Sequence, residues 1–115
     1  MFFSNSGQFL SIVVSGKIGS KCYVYKAIED YENLDCLSIG KKIERFIWNK
    51  YDSFLYGIHN SGYYRWNTES LLKNRFETLF DIPFEVSDAV LNDRKDIVVL
   101  YGRNEILEIN EKMDK

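Results

Sequence analysis

Apolar residues fall in short bursts separated by polar turns, and one layout of bursts and turns recurs along the chain. It is clearest in Phe46 to Asn67, FIWNKYDSFLYGIHNSGYYRWN. This stretch reads as a strand ending in an aromatic, a polar turn, an apolar strand, a tight glycine-containing turn, and a third strand closing on Trp66-Asn67. Phe3 to Leu10 aligns without gaps with Trp48 to Leu55, and both align with Leu91 to Val98, at offsets of 45 and 43 residues. The runs Phe9 to Val14, Phe54 to Ile58 and Ile97 to Tyr101 are apolar on both faces, as expected of strands with neighbours stacked above and below. The turns that follow are Ser15 to Ser20, His59 to Gly62 and Gly102 to Asn104, where Gly and Asn suit tight hairpins. The first of these is longer by about four residues, an insertion that an exposed loop tolerates.

A third strand is predicted over Cys22 to Lys26, Tyr63 to Trp66 and Glu105 to Ile109. Alternation puts Tyr23 and Tyr25, Tyr64 and Trp66, and Leu107 and Ile109 at equivalent positions on one face, expected to pack between repeats. Leu34 to Ser38 supplies a fourth strand in the first repeat. Lys73 to Phe80 is open to two readings: strand by analogy, or helix because Leu72, Phe76, Leu79 and Phe80 share a helical face. A period in the low forties built from short strands points to blades of a β-propeller. The expected fold is all-β, about two and a half four-stranded blades over residues 1–39, 40–82 and 83–110, with a charged tail at 111–115.

Met1-Phe2-Phe3 reads as only the tail of a first strand, and the third repeat as lacking its last strand. Propellers usually close with four to eight blades, and repeat arrays normally end in polar caps. The expectation is an incomplete ring, either a piece of a longer propeller or a unit completed by another chain. The alternative is a self-contained small β-barrel or sandwich binding a peptide or small ligand, which would pair its first and last strands.

At 115 residues the chain suits one small domain. A net charge of −2 gives no field that favours nucleic acid or an anionic membrane, and neither is expected as a partner. No secretory leader is apparent, and no apolar run reaches the roughly 20 residues of a membrane helix. Cys22 and Cys36 are the only cysteines, which suggests a reducing, cytoplasmic setting with free thiols.

Trp66-Asn67 ends its strand where WD-repeat proteins often carry Trp-Asp, and the chain resembles that family over almost its whole length. It departs from the pattern in two places. Ile39-Gly40-Lys41 lies near the expected Gly-His pair without a histidine, and Asn67 replaces the aspartate, so the hydrogen-bonded tetrad of many WD blades is not supported. The stretch Asn60 to Asn67, followed by Val99 to Ile109, is similar to the Gly-x-x-Tyr-x-Trp strand and the later Leu-x-Glu-Ile strand of the cilia- and flagella-associated WD-repeat proteins. That resemblance implies a WD40-like propeller segment without cofactors, working as a scaffold in axonemal assembly.

Candidate chemistry is sparse. His59 is the only histidine and lies in a predicted turn; as a base it would need a nearby carboxylate and a nucleophile. Cys22 and Cys36 are too widely spaced for a Cys-x-x-Cys redox pair, and with His59 too few for a metal site. Gly16 to Lys21 lacks the spacing of a phosphate-binding loop and reads as an inter-strand loop. Lys41, Lys42, Lys50, Lys73 and Arg75, and the acidic Glu29, Asp30, Glu32 and Asp35, read as solvated surface or a charged rim that orients a protein. Tyr31, Tyr51, Tyr63 and Arg65 are the candidate protein-interface residues, because Tyr and Arg join large contact area to a polar tip. Tyr63 and Arg65 would instead be inter-blade contacts if the central blade packs on both faces. No catalytic, cofactor or metal set is assigned, and the function expected is non-catalytic binding of other proteins.

Overall fold

A computed structural model describes residues 1–17, 19–27, 30–68 and 77–109. The chain forms three antiparallel sheets. The first holds β1 (Phe2–Phe3), β2 (Phe9–Gly16), β3 (Gly19–Lys26) and β4 (Glu32–Ile39). The second holds β5 (Arg45–Trp48), β6 (Phe54–His59), β7 (Gly62–Asn67) and β8 (Glu77–Asp81), and the third β9 (Asp88–Asn92), β10 (Ile97–Tyr101) and β11 (Ile106–Ile109). The fold is all-β. Each strand pairs with its neighbour in sequence, and among the described residues β1 and β11 are not paired. The sheets are therefore separate ladders rather than one closed barrel.

The ladders give the sequence repeat a physical meaning. Phe3 faces Leu10, Trp48 faces Leu55 and Leu91 faces Val98. On the next strand Leu10 faces Tyr25, Leu55 faces Trp66 and Val98 faces Ile109. Aligned residues thus occupy the same rung and the same face, because one residue of slip would turn every side chain over.

Three local features differ from the sequence expectation or refine it. Most of the longer Ser15–Ser20 stretch is strand: Ser15 pairs with Ser20 and Gly16 with Gly19, so the added residues lengthen the ribbon. Extending a ladder satisfies backbone groups that a loop would leave to water. Of Lys73 to Phe80, the part from Glu77 is strand β8, and residues 73–76 lie outside the described residues. Period-two alternation prevails there, since Phe80 stacks on Tyr63 at 4.6 Å while Leu79 is 62% exposed. Phe84 to Ser87 forms a connector, and the third sheet starts at Asp88. The predicted tail at 111–115 lies outside the described residues.

The sheets stack face to face with the second in the middle. One of its faces sends Phe46, Trp48, Leu55 and Trp66 against Phe9, Cys22, Val24 and Leu37 of the first sheet. The other sends Tyr56, Ile58 and Tyr63 against Ala89, Val98, Leu100 and Ile109 of the third. This double burial is why β6 carries no polar alternation. The face expected to pack between repeats does so for Trp66 and Ile109, but Leu107 is 36% exposed. In the first sheet Tyr23 and Tyr25 point away from the second and stay half-buried.

Two glycines make this packing possible. Gly57 lies under the Trp66 ring, where an added Cβ would sit 3.1 Å from ring carbons. Gly62 opens β7 so close to β8 that a Cβ would fall 2.1 Å from the Phe80 carbonyl oxygen. Gly62→Ala should therefore lose about 1–3 kcal/mol of unfolding free energy by forced backbone displacement. Gly40→Ala, with nothing within 4 Å of the added carbon, should change it by less than about 0.5 kcal/mol. Urea titrations of both variants check the contrast.

Candidate functional site: the sheet junctions and their turns

The first turn of each module faces the turn of the next, and a carboxylate links them. Asn5 donates its backbone N–H to Asp52 Oδ1 at 3.1 Å, and the Ser6 hydroxyl donates to Asp52 Oδ2. Asn5 Nδ2 also reaches the carbonyls of Trp48 (3.3 Å) and Asn49 (2.7 Å). At the second junction the Lys50 N–H donates to Asp96 Oδ1 at 2.7 Å. The donors Asn5 and Lys50 are aligned positions, and the acceptors Asp52 and Asp96 stand one position apart in the same turn, so an equivalent bond is made at each junction. Both aspartates have left-handed backbones, φ 60° at Asp52 and 54° at Asp96, and both are buried. Aspartate tolerates that conformation better than most residues, and it aims the carboxylate back at the preceding module. The first module has Gly7, φ 81°, at the position aligned with Asp52.

A second tie joins each connector to the preceding hairpin. The Ile43 N–H donates to Ser20 Oγ at 3.1 Å, and the Val86 N–H donates to the Asn60 carbonyl at 2.8 Å. Ile43 and Val86 are both buried, so their amides need partners. Trp48 adds an indole N–H donated to Ser11 Oγ at 3.1 Å and a ring stacked on Phe9 at 5.2 Å. Arg45 of β5 grips Asp88 of β9 through two nitrogens, at 2.6 and 3.2 Å. This bidentate bond holds Asp88 below the usual carboxylate range and raises Arg45. The pair is substantially exposed and adds orientation more than stability.

The four candidate interface residues separate. Tyr51 is 63% exposed with Lys50 Nζ 5.3 Å from its ring centre, and Tyr31 is 53% exposed at a left-handed position, φ 58°. Tyr63 is buried between the second and third sheets, edge-on to Tyr56 and stacked on Phe80. Arg65 lies over the Phe54 and Phe80 rings, 4.9 and 5.2 Å from their centres. Tyr31 and Tyr51 stand on different turns, whereas Tyr63 and Arg65 belong to β7. Sequence reasoning missed Asp52 and Asp96, whose one signal was a carboxylate near the end of the same polar turn.

His59 is buried, and its Nδ1 accepts the Ser61 N–H at 3.3 Å and lies 3.2 Å from the Ser61 hydroxyl. That ties the imidazole to its own turn. Burial lowers its pKa, the charge of Lys41 adds to the shift, and that of Asp81 opposes it. Cys22 faces Leu37 and Cys36 faces Tyr23, so the two free thiols lie on opposite faces of the sheet. Burial pushes the Cys22 thiol up to about 12, which keeps it an unreactive core residue. Gly16 and Gly19 to Lys21 belong to strands, which offer no phosphate cradle.

Lys41, Lys42, Asp30 and Glu32 are exposed, whereas Glu29, Lys73, Arg75 and the side chain of Asp35 lie outside the described residues. Among the described residues no cluster of three or more His, Cys, Asp and Glu could hold a metal. A cavity of about 450 Å³ lies beside the β2–β3 hairpin, bordered by Val14, Lys21, Tyr23 and Ser38. Another, of about 360 Å³, lies where β1, β5 and β9 converge, bordered by Phe2, Arg45 and Leu91. Compared with known proteins, the chain matches no family model, no curated protein and no solved structure.

Asp52→Ala should cost about 1–3 kcal/mol, because it removes the carboxylate that accepts the Asn5 amide and the Ser6 hydroxyl and leaves alanine at a left-handed position, and Asp52→Asn should recover part of that loss. Equilibrium unfolding checks both. His59 is held neutral, with a folded pKa below its unfolded value of about 6.5. Its contribution is complete above that pH and is lost as pH falls through the folded pKa. Stability measured downward from neutral pH should decline less steeply in His59→Asn than in the native chain.

Proposed function

We propose that the chain is a non-catalytic protein-binding scaffold, a WD-like propeller segment that holds other proteins on its sheet faces and turns. The observation that carries this reading is the pair of uncovered outer faces. Val14 of the first sheet is 53% exposed, and Val90 and Ile106 of the third are 48% and 72% exposed. The rungs equivalent to Val90 and Ile106 in the middle sheet carry Ile47 and Tyr63, both packed in the second core. Apolar rungs of this kind are suited to association. The turns add the exposed rings of Tyr31 and Tyr51, the residue type enriched where proteins meet.

A cytoplasmic setting is part of the proposal, since it keeps Cys22 and Cys36 as thiols. No helix among the described residues is long and apolar enough to cross a membrane. Axonemal assembly is the most specific form of the reading, and it rests on the resemblance of Asn60–Asn67 and Val99–Ile109 alone. A non-catalytic role accords with His59 being bound to its own turn.

In a native extract the chain should run well above its 13.6 kDa together with other polypeptides. Ile106→Lys or Val14→Lys should release it from that assembly while circular dichroism stays unchanged. Migration as a lone monomer in the extract would overturn the scaffold reading.

A further inference from the structure

We propose that the outer face of the third sheet is a docking surface for a further β-sheet module that presents an aspartate carboxylate to the backbone amide of Asp93. The proposal rests on the scaffold reading and gives it a direction.

Both existing junctions are built in the same order. The earlier module supplies a turn amide, Asn5 or Lys50, and the later one supplies the carboxylate, Asp52 or Asp96. The earlier module also offers an acceptor on its second hairpin, Ser20 Oγ or the Asn60 carbonyl, to the buried amide of the later module's connector. The third module carries the earlier partner's half of each contact. Asp93 stands where Asn5 and Lys50 stand, and among the described residues its amide has no partner. Its second turn spans Gly102 to Glu105, with Arg103, Asn104 and Glu105 exposed. Its outer face has Val90, Val99, Tyr101 and Ile106 at the rungs where the middle sheet has Ile47, Tyr56, Ile58 and Tyr63. All four of those counterparts pack against the third sheet.

The opposite end of the stack does not mirror this. At the positions aligned with Asp52 and Asp96 the first module has Gly7 and Gln8, neither of which offers a carboxylate. A second copy of this chain would bring apolar rungs to the third sheet but would leave the Asp93 amide unanswered. The partner is therefore a module of similar build with an acidic residue at the left-handed position of its first turn.

The requirement can be tested with pure chains by supplying the missing carboxylate. Gly7→Asp places it where an added Cβ meets nothing within 4 Å; the left-handed backbone, φ 81°, strains any side chain but least an aspartate, which Asp52 carries at φ 60°. Asp93→Pro removes the backbone donor together with the side-chain carboxylate, so Asp93→Ala, which removes the carboxylate and keeps the amide, is its control; the backbone admits proline, since Asp93 is the second residue of the turn closed by the Lys95 N–H on the Asn92 carbonyl. The doubly substituted G7D/D93P chain is then a probe that can accept but not donate.

By sedimentation velocity, the native chain alone should be monomeric. It should bind the G7D/D93P probe on the order of ten-fold more tightly, or better, than it binds the matched G7A/D93P chain. Replacing the native chain by D93P should abolish that preference. Equal affinity for the two probes, both folded by circular dichroism, would overturn the proposal. So would native chains binding one another as tightly as they bind the probe. If G7D/D93P fails to fold, G7N/D93P supplies an uncharged acceptor at the same position and should show an intermediate preference. This binding between pure chains can fail while the assembly in extract persists, or succeed when that assembly is absent, so the two readings stand or fall separately.

Discussion

A sheet that is apolar on both faces must be covered on both, and this constraint governs the molecule. The inner strands β6 and β7 of the middle sheet meet it. Trp66 and Leu55 are sealed on one side, Tyr56 and Ile58 on the other, each with 1% exposure or less. Burial of that extent contributes a large share of the stability of so small a chain, since each aromatic removes much apolar area from water. The outer sheets meet the constraint on one face only. Core quality and surface chemistry are therefore two sides of one repeat: a rung buried in the centre of the stack is an exposed apolar rung at its end.

Apolar contact alone would let the sheets slide, and the polar contacts at the junctions fix their register. Asp52 and Asp96 are buried carboxylates with backbone amides as partners, and such bonds are strong and directional. Ser11, Ser20 and Asn60 accept the remaining donors at the seams. Among the described residues no buried side-chain nitrogen or oxygen lacks a partner. The left-handed turn residues are thus structural fittings, and their polarity along the chain is what distinguishes one end of the stack from the other.

Much of the architecture was legible because rung position and sequence position coincide. The gapless match of Phe3–Leu10, Trp48–Leu55 and Leu91–Val98 is the ladder itself. The length of the β2–β3 ribbon was not legible, since Ser15, Gly16 and Ser20 are turn-forming residues that long-range pairing recruited into strands. The Glu77–Phe80 ambiguity arose because Phe76, Leu79 and Phe80 suit a helical face as well as a strand, and only stacking on Tyr63 decides for the latter. The junction aspartates were hidden for another reason: their partners are backbone amides more than forty residues away, which leave no mark on residue type. Tyr63 and Arg65 were equally ambiguous, because the residue types that favour an interface between proteins also favour one between sheets.

The two tryptophans share one location. Trp48 and Trp66 both sit in the core between the first and second sheets, with exposures of 3% and 0%, while the core between the second and third contains tyrosines and aliphatic residues. Indole emission therefore reports on one seam of the molecule and is blind to the other. Detachment of the last sheet would pass unseen at the wavelengths where tryptophan dominates, and only the weaker phenol signal of Tyr56 and Tyr63 would register it.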